Sequence, residues 1–143
     1  MAEEGLALNP KKEVMFDGFD FRAFNFRYSF APKNKAEAAM ANEIIETLRY
    51  YALPEITPGK MFFILPAEFQ IEFMIGNKIN TNIPRIANSF LTRVNVNYAP
   101  GNVWASLPDG SPVALDISLE FLENELIDRT RVYSATNPIT AGY

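Results

Sequence analysis

Residues 16–30, FDGFDFRAFNFRYSF, constrain the fold more than any other stretch, because seven of these fifteen residues are aromatic and the rings recur at nearly every second position. An extended strand points successive side chains to opposite faces, so a period of two predicts β structure. Phe19 and Phe21 keep one parity, whereas Phe24, Phe26, Tyr28 and Phe30 keep the other. The shift near Ala23 predicts a bulge or a change of partner sheet. Arg22, Asn25, Arg27 and Ser29 lie between the rings and supply a polar opposite face, and Pro32 ends the run.

The period then changes once. In KNKAEAAMANEIIETLRYYALPE the spacing predicts a helix over about 35–52, with Asn34 as N-cap and Glu37 completing a capping box. Ala36, Met40, Ile44 and Leu48 recur at every fourth position, with Ala41, Ile45 and Ala52 widening the stripe that is expected to face a sheet. Pro54 closes the helix. From there period two returns, and it predicts strands at 60–66, 67–75, 88–100 and 113–121, plus a short one before the Pro-Asp-Gly-Ser-Pro turn at 108–112. In 88–100 the expected inward set is Phe90, Val94, Val96 and Tyr98. In 113–121 it is Val113, Leu115, Ile117, Leu119 and Phe121. Residues 1–15 read as an N-terminal arm, 16–127 as one β domain containing the helix, and 128–143 as a flexible C-terminal tail. The fold class is mainly β (α+β): about six antiparallel strands with one helix packed on a face.

Composition narrows the chemistry. At 143 residues and 48% hydrophobic, the chain suits a single folded domain that buries roughly two thirds of its unfolded surface. It has no cysteine and no histidine, which removes disulfides, thiolate or imidazole metal ligands, thiol nucleophiles and a Ser-His-Asp triad. A net charge of −4 does not make the broad basic patch that non-specific nucleic-acid binding needs. No apolar run approaches a membrane span, and MAEEGLALNPKKE lacks a signal-peptide core, so the expectation is a soluble chain made in a cytoplasm.

An enzyme built from this composition would rest on carboxylates. Glu68 and Glu72, or Asp116 and Glu120, each share a strand face, yet four residues of strand separate each pair by about 13 Å. Glycosidase pairs need roughly 5–9.5 Å. A solvated sheet face explains them better, and the lone Asp109–Gly110 pair is better explained as a hairpin turn than as a calcium loop. An RNA-binding sheet would expose its rings beside its charges. Here the rings and arginines of Phe24–Tyr28 fall on opposite faces. No catalytic residue, metal ligand or cofactor is assigned.

The rings at 16–30 look like more than one small core needs once the helix stripe and the other strand faces are counted, with some expected over the helix and others against a neighbouring subunit; the patterning alone fits all seven as internal core equally well. Long strands also leave unpaired edges, which isolated domains blunt and which assemblies join between subunits. Both features lean toward assembly.

In their order and spacing, LNPKKEVMFDGFDFRAFNFRYSFAPKNKAEA, LRYYALPE, ILPAEFQIEFM, IPRI, VNVNYAP and DGSPVALDISLEFLENELI resemble the C-terminal tube-like domain of baseplate tail-tube cap proteins of contractile-tailed bacteriophages. The resemblance covers about residues 8–127. It implies a structural virion protein with the tail-tube fold, an antiparallel β-sandwich or barrel with one flanking helix. Six copies would form a ring around the DNA channel, on the baseplate hub and beneath the tail tube. Members of that family carry further sequence before the tube-like part, so this chain is expected to be a minimal, processed or truncated relative. On a ring, Phe16, Phe19, Phe21 and Phe24 are expected at the subunit interface. Glu68, Gln70 and Glu72 from one strand, with Asp116, Ser118 and Glu120 from another, are expected to line the channel and repel DNA. The alternatives are a polymerising tube subunit or another hub ring, and, in other classes, a small ligand-binding β domain or a carboxylate hydrolase.

Overall fold

The structure, a computed structural model, describes residues 18–59, 62–133 and 141–143. The expected arm at 1–15 and Phe16 lie outside them. In chain order the elements are β1 (Ala23–Phe30), α1 (Lys35–Ala52), β2 (Glu55–Ile56), β3 (Phe63–Ile64), β4 (Met74–Ile75), β5 (Lys78–Ile79), β6 (Ser89–Asn97), β7 (Leu115–Glu123) and the short α2 (Arg129–Val132). One main helix with antiparallel sheets makes an α+β fold.

The principal sheet has three strands in the order β1-β7-β6, all antiparallel. β7 takes the centre because its alternation is the cleanest in the chain. Leu115, Ile117, Leu119 and Phe121 are buried on one face, and Asp116, Ser118 and Glu120 take the other. Over the buried face lie Ala41, Ile45, Leu48 and Ala52 of α1, joined by Leu91, Val94 and Val96 of β6 and by Phe26 and Phe30 of β1. Burying one such aliphatic side chain stabilises the fold by about 1.5–3 kcal/mol. The two remaining sheets are hairpins of two-residue strands, β2 with β3 and β4 with β5. Among the described residues none of the sheets closes into a barrel.

Several expectations are corrected by the pairing. β1 runs from Ala23 to Phe30 against β7 in unbroken register, so the parity change marks the start of the strand and not a bulge within it. The bulge sits in β6, where the register with β7 shifts between Leu91 and Arg93. Thr92 is the extra residue, and its hydroxyl donates to the Glu120 carbonyl at 3.1 Å. An inserted residue resets the alternation. Leu91 therefore joins Val94 and Val96 on the core face, and Phe90 lies opposite Leu122, away from the inward position expected for it.

The helix has the expected bounds and cap: the Asn34 side chain accepts from the Glu37 amide at 2.9 Å, and the Glu37 carboxylate accepts from the Lys33 amide at 2.7 Å. Leu53, held extended by the proline that follows, ends it. The buried ridge is rotated from the expected one. It runs through Ala38, Ala41 and Ile45, and leaves Met40 at 65% and Ile44 at 41% exposure.

Of the long strands expected at 60–66 and 67–75, the described residues form β3 and β4, and residues 60 and 61 lie outside them. Pro66 interrupts the ladder, and between it and β4 the backbone is held at separate points: the Ala67 amide donates to the Tyr51 carbonyl at 3.1 Å, Phe69 exchanges hydrogen bonds with Ser89 at 2.7 and 3.0 Å, and the Phe73 carbonyl accepts from the Asn80 amide at 2.7 Å. The alternation survives as packing. Phe69, Ile71 and Phe73 are half-buried while Glu68, Gln70 and Glu72 are exposed. The segment crosses beneath the sheet, with the Phe69 ring 5.5 Å from Phe121 and Phe73 6.0 Å from Phe26. The short strand before the Pro-Asp-Gly-Ser-Pro turn reduces to a single Ser106–Pro112 bridge. Gly110 turns the chain there at φ +90°, a conformation that favours glycine. Within the expected tail, Gly142 and Tyr143 return to the fold: the Gly142 carbonyl accepts from the Arg85 amide at 2.6 Å, and the Tyr143 amide donates to the Arg131 carbonyl at 3.1 Å.

Candidate functional site

The outward face of the principal sheet is built in rows by the strand register. Asn25, Glu120 and Arg93 lie side by side across β1, β7 and β6; below them come Arg27, Ser118 and Asn95, then Ser29, Asp116 and Asn97. Asp116 accepts from the Ser29 hydroxyl at 2.7 Å and from Arg27 Nη2 at 3.0 Å. Those two contacts, the serine first, hold its carboxyl below the usual aspartate value. Glu120 accepts from the Thr92 hydroxyl at 3.2 Å and has Arg93 as its cross-strand neighbour.

Asp116, Ser118 and Glu120 thus share one surface with two guanidinium groups. Two carboxylates against two arginines give this face no net charge, so it is not the acidic surface the alternation of 116–120 alone suggests. Sequence reasoning noticed Arg27 as a polar alternate but had no register with which to set it, or Arg93, beside the acids.

Glu68, Gln70 and Glu72 do not join this face. Their neighbours Phe69, Ile71 and Phe73 point up into the core, so the three polar groups point down, on the far side of the ring layer from Asp116. Gln70 donates to Glu72 at 2.9 Å, and Asn124 donates to Glu68.

The aromatic candidates divide. Phe19 and Phe21 precede β1 and remain 53% and 45% exposed. Phe24 lies within β1, half-buried, with the Arg22 guanidinium 5.3 Å from its ring centre. Tyr28, opposite Ile117 in the register, is 54% exposed.

One feature went unread in the sequence. Glu123 is fully buried at the end of β7 and receives Arg22 Nε at 2.5 Å, Arg22 Nη2 at 2.8 Å and the Ala87 amide at 2.7 Å. Burial alone would raise its carboxyl, but the arginine and the amide together outweigh it and hold the group below the ordinary value. Its signal was present: Glu123 has the parity of the core residues Leu119 and Phe121.

Exposed apolar side chains are concentrated on the hairpins and the helix. Ile56, Phe62, Phe63, Ile64 and Leu65 surround the β2–β3 hairpin, Met74, Ile75 and Ile79 the β4–β5 hairpin, and Met40 and Ile44 line the outside of α1. Among the described residues no group of three or more acidic side chains is gathered closely enough to hold a metal ion, and no helix is long and apolar enough to cross a membrane. No family model, curated protein or solved structure matches the chain.

Proposed function

We propose that the chain is a structural, non-enzymatic protein of a contractile phage tail. Identical copies, six to a ring, close around the DNA channel at the junction of baseplate and tail tube, cap the hub and provide the first layer of the tube. The partners are further copies of the chain, the tail tube protein and the hub proteins. The location is the virion, after assembly in the host cytoplasm.

The observation that carries this reading is the principal sheet itself. β1 and β6 are both edge strands, eight and nine residues long, and between them only Ser89 has a backbone partner on the outer side among the described residues. A long edge with unpaired backbone groups is open to another strand. Two such edges on opposite sides of one sheet let β1 of one copy add to β6 of the next until the ring closes. Exposed rings at Phe19 and Phe21 sit beside the entry to β1, where that contact would form.

In such a ring the helix faces outward and the rows around Ser118 face the channel, while Glu68, Gln70 and Glu72 point away from it. The charge-balanced face then gives DNA few sites to neutralise, because phosphate affinity grows with the number of cations engaged. A polymerising tube subunit would use the same edges, and the apolar hairpins favour contacts beyond a single ring. Incubating the chain by itself separates the two readings, since a tube subunit extends indefinitely and a cap stops at one ring or needs the hub.

Sedimentation of the purified chain, alone and with tail proteins, tests the proposal. Rings are expected for the parent. Phe21→Glu is expected to remain folded by circular dichroism yet to sediment as single chains. A parent that stays monomeric in both settings overturns the reading, and a variant that forms rings as readily as the parent removes the first strand from the interface.

A further inference from the structure

The flank of α1 beside the end of β1 carries an unfilled apolar groove. Met40 and Ile44 line two adjoining hollows of about 460 and 310 Å³, which run from Pro32 at one end to Leu48 at the other. Glu37 and Glu43 stand at its rim. An amphipathic helix normally turns such residues inward. Here the burial of Ala38, Ala41 and Ile45 leaves a second stripe facing out, and no other element of the described chain lies in the groove.

The same chain carries two hairpins with exposed apolar side chains. The β2–β3 hairpin brings Glu55 with its apolar residues, and a carboxylate would meet an acidic rim. The β4–β5 hairpin is different: Met74 pairs with Ile79, Ile75 pairs with Lys78, and Gly76 at φ +60° makes the tight turn between the strands. Met74, Ile75 and Ile79 are 45–65% exposed. The ion pairs of the described residues join Arg22 to Glu123, Arg27 to Asp116 and Arg131 to Glu125, leaving Lys78 and Glu43 outside them.

We propose that the β4–β5 hairpin of one copy docks in the α1 groove of the next, with Met74, Ile75 or Ile79 against Met40 and Ile44, and Lys78 beside Glu43. Of the two hairpins charge selects this one, for 74–79 carries Lys78 and no carboxylate, whereas 55–64 carries Glu55 as well as Lys60. Knob and groove are different patches of one surface, so the contact is head-to-tail and repeats around an axis without using itself up. The docking rests on the ring reading above and adds to it a contact outside the sheet edges.

The chain contains no cysteine, so single-cysteine variants test it cleanly. Ile75→Cys and Met40→Cys, one of them carrying a size tag, are mixed at a concentration where the parent assembles and are then oxidised. A disulfide between the two different variants is expected several-fold above either self-linked product. In parallel, Lys78→Glu and Glu43→Lys are each expected to weaken assembly several-fold, and the double swap to restore it. If the parent forms rings but the mixed disulfide is no more abundant than the self-linked ones, the docking is wrong and the ring stands. If the parent is monomeric throughout, both fall.

Discussion

Glu123 shows how a single residue ties distant parts of the chain together. A carboxylate removed from water costs several kcal/mol unless it is paired and hydrogen-bonded. Arg22, just before β1, and the Ala87 amide, just before β6, provide those contacts, while the Arg22 Nη2 also donates to the Arg85 carbonyl at 3.2 Å. The cluster fastens the ends of all three strands of the sheet. Arg22→Ala leaves the carboxylate buried beside one remaining donor, and urea denaturation is expected to show a loss of about 3 kcal/mol. Glu123→Gln keeps an acceptor for Ala87 and is expected to cost less. Because the folded carboxyl lies below its ordinary value of 4.5, its stabilisation is fully present above that pH and is lost as the pH falls through the folded value. Acid titration of stability should therefore be shallower in Glu123→Gln than in the parent.

The elements divide into those whose period alone determines them and those that depend on what they meet. α1 has its expected bounds because its cap, its period and its stop signal agree at Asn34, Ile45 and Pro54. Its buried face was less legible: Ile44 and Ile45 are adjacent and equally apolar, and only contact with β6 and β7 decides between them. Mutation should separate them, with Ile45→Ala expected to cost about 3 kcal/mol and Ile44→Ala under about 1 kcal/mol for the isolated chain, both read from chemical denaturation. The bulge at Thr92 was illegible for the same reason, since nothing in NSFLTRVNVNY marks the inserted residue until the Glu120 carbonyl lies opposite it. Deleting Thr92 removes the inserted residue and leaves Leu91, Val94 and Val96 on one face by plain alternation, opposite Phe121, Leu119 and Ile117. Cooperative unfolding is expected to be kept in chemical denaturation, and its loss would show that the sheet needs the bulge itself. The segment Glu68–Phe73 failed in the opposite way. Its period was right, but alternation specifies which side chains are buried and not whether the backbone finds a partner.

For the whole molecule, the polar surface of the sheet and the apolar hairpins make opposite demands. The former is satisfied by its own contacts, among them the Arg27–Asp116 salt bridge and the hydrogen bonds from Ser29 and Thr92, and is at ease in water. The latter leave large side chains exposed in patches that a single soluble chain rarely carries. Association that covers them stabilises the folded state by mass action, so the melting temperature of the parent should rise with protein concentration. In Phe21→Glu that dependence should flatten, which scanning calorimetry at several concentrations would measure.

The centre of the sheet belongs to the part of the chain translated last among its three strands. β1 leaves the ribosome early, but its mate, beginning at Leu115 opposite Phe30, lies far downstream. During synthesis the ring-rich segment therefore waits unmated, a client for chaperones and a hazard for nascent-chain clumping, until β7 emerges and lets the sheet zip together at one stroke.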